Sequence, residues 1–334
     1  MPRPIDSDRL AFHRLVLARR RRGWWTPLAV GGLGLVFYIV AILIIALVAV
    51  LVAVSNPDAA RTLDEILADA GALDVASPMS LLFGLGTIAL MLPAYLLASL
   101  IVNGRRLGFV SAVYGRLRWR WLLVCTALAA ATAIVVTLVT ALIPGDEAAA
   151  PVEAPTGATF WLSLLVVLLV VPVQATAEEY VFRGYLMQSI GRWLRHPLFA
   201  ILLPVPLFVL GHMYDPVGQA AVGLFAIAAG WLTWRTGGLE AAIALHIVNN
   251  LLAFLLGLGG LSDPSATDVG WVSFASSVLL LGGYCLVVEL VLRRRPIIRT
   301  YALPRAPLPA PIPMPTPTAT VPLPGQPTPD ITRR

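Results

Sequence analysis

Apolar stretches of membrane-spanning length, separated by short polar turns, run through most of this chain. Crossing a hydrocarbon core takes roughly 20 apolar residues in a helix. Eight stretches approach or exceed that length: 27–54, 79–102, 121–143, 159–190, 198–214, 217–234, 239–257 and 271–292. They predict an all-α fold, a polytopic transmembrane bundle, because a helix satisfies its own backbone groups where no water is available. The first stretch follows Arg19-Arg20-Arg21-Arg22 and is too long for a cleavable leader, so it is expected to remain as an anchor.

Composition strengthens this picture. With 58% hydrophobic and 13% charged residues, the chain carries far more apolar surface than a soluble domain can hide. All 24 basic residues are Arg, and they are unevenly placed. Arg105, Arg106, Arg116, Arg118 and Arg120 fill the second loop, Arg192 and Arg195 the fourth, and Arg293 to Arg295 follow the last span. The alternate loops hold Asp58, Asp64, Glu65, Asp69, Asp146, Glu147, Asp263 and Asp268, with Arg61 as their basic exception. By the positive-inside rule both termini are expected in the cytoplasm of a cell-membrane protein with an even number of spans. Because the Arg clusters flank spans and form no single basic face, the pattern argues against nucleic acid as a partner. Cys125 and Cys285 fall in apolar runs and read as core residues.

The chain then divides into a basic cytoplasmic segment (1–26), N-terminal transmembrane helices (27–158), a polar-bearing core (159–258), a last helix with its basic flank (259–299) and a tail (300–334). Arg9 to Arg22 mixes Leu10, Leu15, Val16 and Leu17 with Arg, as an interfacial helix on anionic lipid would; it reads equally as a basic flank. Proline at nearly every second position from Pro304 to Pro317 predicts an extended, disordered tail.

Polar groups inside the core spans carry the chemistry, since each is costly in lipid and must find a partner. Glu178 and Glu179 end an apolar run, Arg183 follows, and His212, His246 and Asn250 lie in later spans. At 3.6 residues per turn Glu179 and Arg183 share a face and form the natural ion pair, while Glu178 points about 100° away, free to act as a general base. His246 and Asn250, also four apart, share a face. Counting about 1.5 Å per residue from the basic loops brings Glu178, His212 and Asn250 to one level, provided the fourth helix continues past Glu178, tilted or bent at Pro172. Other polar groups read as structural: Glu240 at a helix start, Glu289 with Arg293, Asp215-Pro216 as a turn, and Ser99 and Ser163 as helix-packing positions.

The series Glu178-Glu179-x-x-x-Arg183, Phe208-x-x-x-His212 and His246-x-x-x-Asn250 resembles the three-part signature of the CPBP intramembrane proteases, which include Rce1-type CAAX prenyl endopeptidases and Abi-type putative immunity proteins. The resemblance covers about 159–258. It implies an intramembrane endopeptidase acting on membrane-associated, CAAX-type peptide substrates, in which Glu178 and His212 polarise water and His246 and Asn250 stabilise the oxyanion. Glu179 and Arg183 would orient the base, and Phe208 would pack beside it. A divalent metal such as zinc has candidate ligands in Glu178, His212 and His246, but the same residues suit a metal-free glutamate mechanism. A non-proteolytic immunity or scaffold protein of the same fold, or a proton-linked transporter, is the alternative. No internal repeat supports a transporter, and no Gly-x-Ser-x-Gly elbow or intramembrane Asp pair supports another protease class.

Overall fold

A computed structural model describes residues 9–21, 23–68, 73–143 and 153–303. The Pro-rich tail beyond 303, with Asp69, Asp146 and Glu147, lies outside the described residues. The fold is helical, as the hydrophobic pattern predicts. Its helices are α1 (Thr26–Ser55), α2 (Pro57–Ala68), α3 (Pro78–Ala89), α4 (Met91–Asn103), α5 (Trp119–Thr140), α6 (Gly157–Glu179), α7 (Met187–Trp193), α8 (Pro197–Leu202), α9 (Val205–Leu210), α10 (Pro216–Thr236), α11 (Glu240–Leu258) and α12 (Trp271–Arg294).

Among the described residues seven helical units are long and apolar enough to cross a membrane; α3 with α4, and α6 with α7, each act as one. The fifth expected span departs from this. Over 197–210 the chain forms α8 and α9, 14 residues broken at Pro204, short of membrane length. Two prolines, Pro204 and Pro206, interrupt the backbone hydrogen-bond ladder there. Conversely, α6 runs through a π-helical turn, Tyr180–Leu186, into α7, making a 37-residue helix of roughly 55 Å. Pro172 is accommodated within α6, where Thr176 Oγ1 donates to the Pro172 carbonyl at 2.7 Å.

Tryptophans mark the two ends of the bundle. Trp25 opens α1, Trp119 opens α5 and Trp193 closes α7, all exposed at the Arg-rich end; Trp161 and Trp271 are exposed near the starts of α6 and α12 at the other. The core centres on α11, which packs against α5, α6 and α10, with α12 behind α5 and α10. At the Arg-rich end Glu240, fully buried at the start of α11, accepts from Arg118 Nε at 2.9 Å and Nη2 at 2.6 Å. This clamp supplies both a partner for the buried carboxylate and a negative charge at a helix N-terminus.

The N-terminal segment does not form the interfacial helix that its sequence allows. Arg9–Ala11 forms strand β1, followed by a 3₁₀ turn over Phe12–Ala18 whose Phe12, His13, Leu15 and Val16 are buried in protein. The segment lies on α7 so closely that a Cβ at Gly191 would overlap the His13 carbonyl oxygen. It is a docked cap, because its apolar residues meet the exposed end of α7 and the 107–113 loop before they meet lipid. β1 pairs antiparallel with β2 (Thr300–Ala302), Leu10 opposite Tyr301, so both ends of the described chain meet at the Arg-rich end.

Candidate active site

α6 and α11 run antiparallel, and this brings two turns of polar residues face to face. In the first turn, Arg183 Nη1 donates to Glu179 Oε1 at 2.8 Å, the i,i+4 pair expected from spacing, and both side chains are buried. The same Glu179 oxygen accepts from His246 Nδ1 at 2.8 Å. Arg183 Nη2 donates to the Ala226 carbonyl at 3.2 Å, and its guanidinium lies over the Phe208 ring at 4.6 Å. A π-helical turn immediately after Glu179 places this Arg, and such turns recur at functional sites.

Committing Nδ1–H of His246 to Glu179 turns Nε2 toward Glu178, whose Oε2 lies 3.3 Å away. The angle there is not that of a hydrogen bond, and Glu178 Oε2 is buried without a partner. The two adjacent carboxylates therefore differ in kind. Glu179 is held through Oε1 by both Arg183 and His246, its Oε2 being buried and unpartnered as well, whereas Glu178 Oε2 lies beside the imidazole without a hydrogen bond.

In the second turn, Asn250 Nδ2 donates to Gln174 Oε1 at 3.2 Å, and Asn249 Nδ2 donates to Asn250 Oδ1 at 3.2 Å. The sequence reasoning passed over Gln174, although a buried amide one turn before Glu178 in an apolar span was a visible signal. These bonds orient the Asn250 amide and leave one of its two N–H groups uncommitted by them.

His212 stands apart from the expected arrangement. It follows α9, and its Nδ1 is 2.8 Å from the Phe208 carbonyl, which also accepts from Gly211 N at 3.2 Å as the helix ends. Its ring packs 4.8 Å from Phe208, and Phe208 packs 6.2 Å from His246, so Phe208 touches both imidazoles. Gln219 donates to the His212 carbonyl, and Asp215, expected as a turn, caps α10 by accepting from Gly218 N at 2.8 Å. That bond and a weaker one from Val269 hold the Asp215 carboxyl below its ordinary value, against a smaller opposing effect of burial.

The candidate zinc ligands Glu178, His212 and His246 are not gathered into one set. Among the described residues no three His, Cys, Asp or Glu side chains converge as metal ligands. His246 Nδ1 faces Glu179 and His212 Nδ1 faces the Phe208 carbonyl, which leaves Nε2 of each ring uncommitted by these bonds. The three side chains are not gathered as a ligand set, and the chemistry they present is that of a buried carboxylate, imidazoles and an amide.

Comparison with known proteins singles out the same stretch. A family model described as Type II CAAX prenyl endopeptidase Rce1-like matches residues 158–252. An uncharacterized protein of Bacillus subtilis (strain 168), YyaK, is 36% identical over 98 residues, 27% of this chain and 32% of that protein. The match thus spans about a third of the relative's length. No solved structure matches the chain.

Proposed function

We propose that this chain, whose residues 158–252 are an Rce1-like domain of the CPBP family, is an intramembrane endopeptidase that hydrolyses peptide bonds of membrane-associated substrates, CAAX-type peptides among them. One observation carries the reading. Glu178 presents a buried, unpartnered carboxylate oxygen next to His246 Nε2, while Glu179 and Arg183 fix that imidazole from behind.

In this reading a water seated at Glu178 Oε2 gives up its proton to the carboxylate as it attacks the scissile carbonyl. His246 steadies the developing charge through Nε2, and the free N–H of Asn250 faces the oxyanion. Donors already oriented and shielded from solvent are each worth about 3 kcal/mol to such an intermediate. His212, its Nδ1 engaged, offers Nε2 to the substrate from across Phe208. His246 Nε2, 3.3 Å from Glu178, is the imidazole nitrogen nearest this reaction centre in the reading. The collapsing intermediate expels the amine, which takes the proton Glu178 holds. Both termini are assigned to the cytoplasm, from which the substrate enters.

The test compares purified wild-type protein with Glu178→Gln on a fluorogenic prenylated peptide in detergent. Turnover by the wild type and none by the variant is expected. Equal turnover by the two proteins would remove the catalytic assignment.

A further inference from the structure

A second polar cavity lies apart from the Glu178 cluster, at the Arg-rich end between the docked N-terminal cap, α1, α4 and the π-helical turn into α7. Its volume is about 30 Å³, room for the oxygens of one small polar group. Arg19, Ser99, Asn103, Gln188 and Ser189 provide its polar lining, with Pro27 and Val30 of α1 among the apolar walls.

Arg19 is only 4% exposed, and no carboxylate lies within ion-pair distance of it among the described residues. Its Nη groups are used: Nη1 donates to Ser99 Oγ, and Nη2 to the Ser99 and Gly104 carbonyls at 3.0 and 2.9 Å, at the C-terminal end of α4. Helix capping accounts for those bonds. It leaves Arg19 Nε, a donor, and Asn103 Oδ1, an acceptor, buried and unpartnered on the same cavity, with the cation's charge uncompensated. The surroundings identify the occupant. Arg20, Arg21, Arg105 and Arg106 are exposed beside the cavity, Trp24 and Trp25 are exposed at the start of α1, and α1 and α4 open to lipid. Basic pockets between helices at this level of a bilayer suit anionic headgroups.

We propose that this cavity binds the headgroup of an anionic phospholipid that also carries a hydroxyl, its phosphate oxygen accepting from Arg19 Nε and its hydroxyl donating to Asn103 Oδ1. The site is independent of the proteolytic reading, since it uses none of the residues assigned to hydrolysis.

Full-length protein in neutral detergent is titrated with phosphatidylglycerol, with phosphatidylcholine of the same acyl chains, with inorganic phosphate, and with a short peptide bearing a free C-terminal carboxylate. Bound lipid is counted by native mass spectrometry. One saturable phosphatidylglycerol site is expected, absent with phosphatidylcholine and weakened about tenfold or more in Arg19→Gln, the loss of a hydrogen bond to a charged group. Arg20→Gln should leave it in place. Should Arg19→Gln fail to fold, Ser189→Leu decides, because it fills the cavity without touching the guanidinium. Equal phosphatidylglycerol binding by wild type and Ser189→Leu overturns the proposal, as does displacement of the lipid by phosphate or by the peptide alone at comparable concentration.

Discussion

α1 and α11 are both apolar helices of spanning length, yet half of the apolar stretch of α11 is buried inside the protein and none of that of α1. α11 holds Glu240, His246, Asn249 and Asn250; α1 holds no charged residue and exposes Leu35, Ile39, Leu43, Leu47 and Leu51. Lipid tails are as apolar as leucine, so an outer helix gains nothing from polarity and must avoid it. An inner helix faces other helices, and each polar group can be met by a partner placed for it, as Glu240 is by Arg118 and His246 by Glu179. In this bundle, polarity within a span marks the inside.

Breaking the polar pairs of the α6–α11 contact should therefore cost far more than trimming α1. The largest effect is expected from Glu178→Gln, a loss of about 10³-fold in turnover, the scale of a missing general base, with the melting temperature kept. Arg183→Met strands Glu179 as a buried charge and should destabilise the protein by about 3–5 kcal/mol in unfolding measurements. Gly191→Ala tests the cap, because the new methyl overlaps the His13 carbonyl; an overpacking cost of about 1–3 kcal/mol should appear as faster proteolysis at Arg14.

Acidification probes the same cap more gently. Burial lowers the His13 imidazole below its ordinary value of 6.5, a shift partly opposed by its bond to the Arg195 carbonyl and reinforced by Arg14 and His196. A released segment would take up its proton at higher pH than the docked one, so docking is fully present above 6.5 and weakens as the pH falls below it. Amide exchange in residues 9–18 should speed up on that side, and His13→Gln should flatten the response. The smallest effect belongs to α1: Leu43→Ala, on its lipid face, should stay within about 0.5 kcal/mol. A larger loss there would mean that α1 has a protein partner.

How much of this was legible in the sequence follows from what helical periodicity can carry. Spacing along one helix is a local property, so the Glu179–Arg183 pair and the divergence of Glu178 could be read directly. Which residue of another helix stands opposite is a tertiary property. Spacing therefore could not reveal that His246 touches both carboxylates, that Gln174 meets Asn250, or that Phe208 touches both imidazoles. Level counting set Asn250 with Glu178, whereas Asn250 meets Gln174 and Glu178 lies beside His246, one turn along, and it assumed α8–α9 to be regular, where Pro204 and Pro206 shorten it. The N-terminal cap escaped because an amphipathic basic segment has the same pattern whether its apolar residues meet lipid or protein.

The β1–β2 ribbon has a consequence for timing. A ribosome delivers Leu10 early and Tyr301 only after every transmembrane helix has been made, so β1 must wait without its strand partner while the rest of the chain enters the bilayer. The clasp can be fastened only when α12 is in place. Its closure thus follows the synthesis of α12, and a chain truncated before Thr300 would be left with its first strand unpaired.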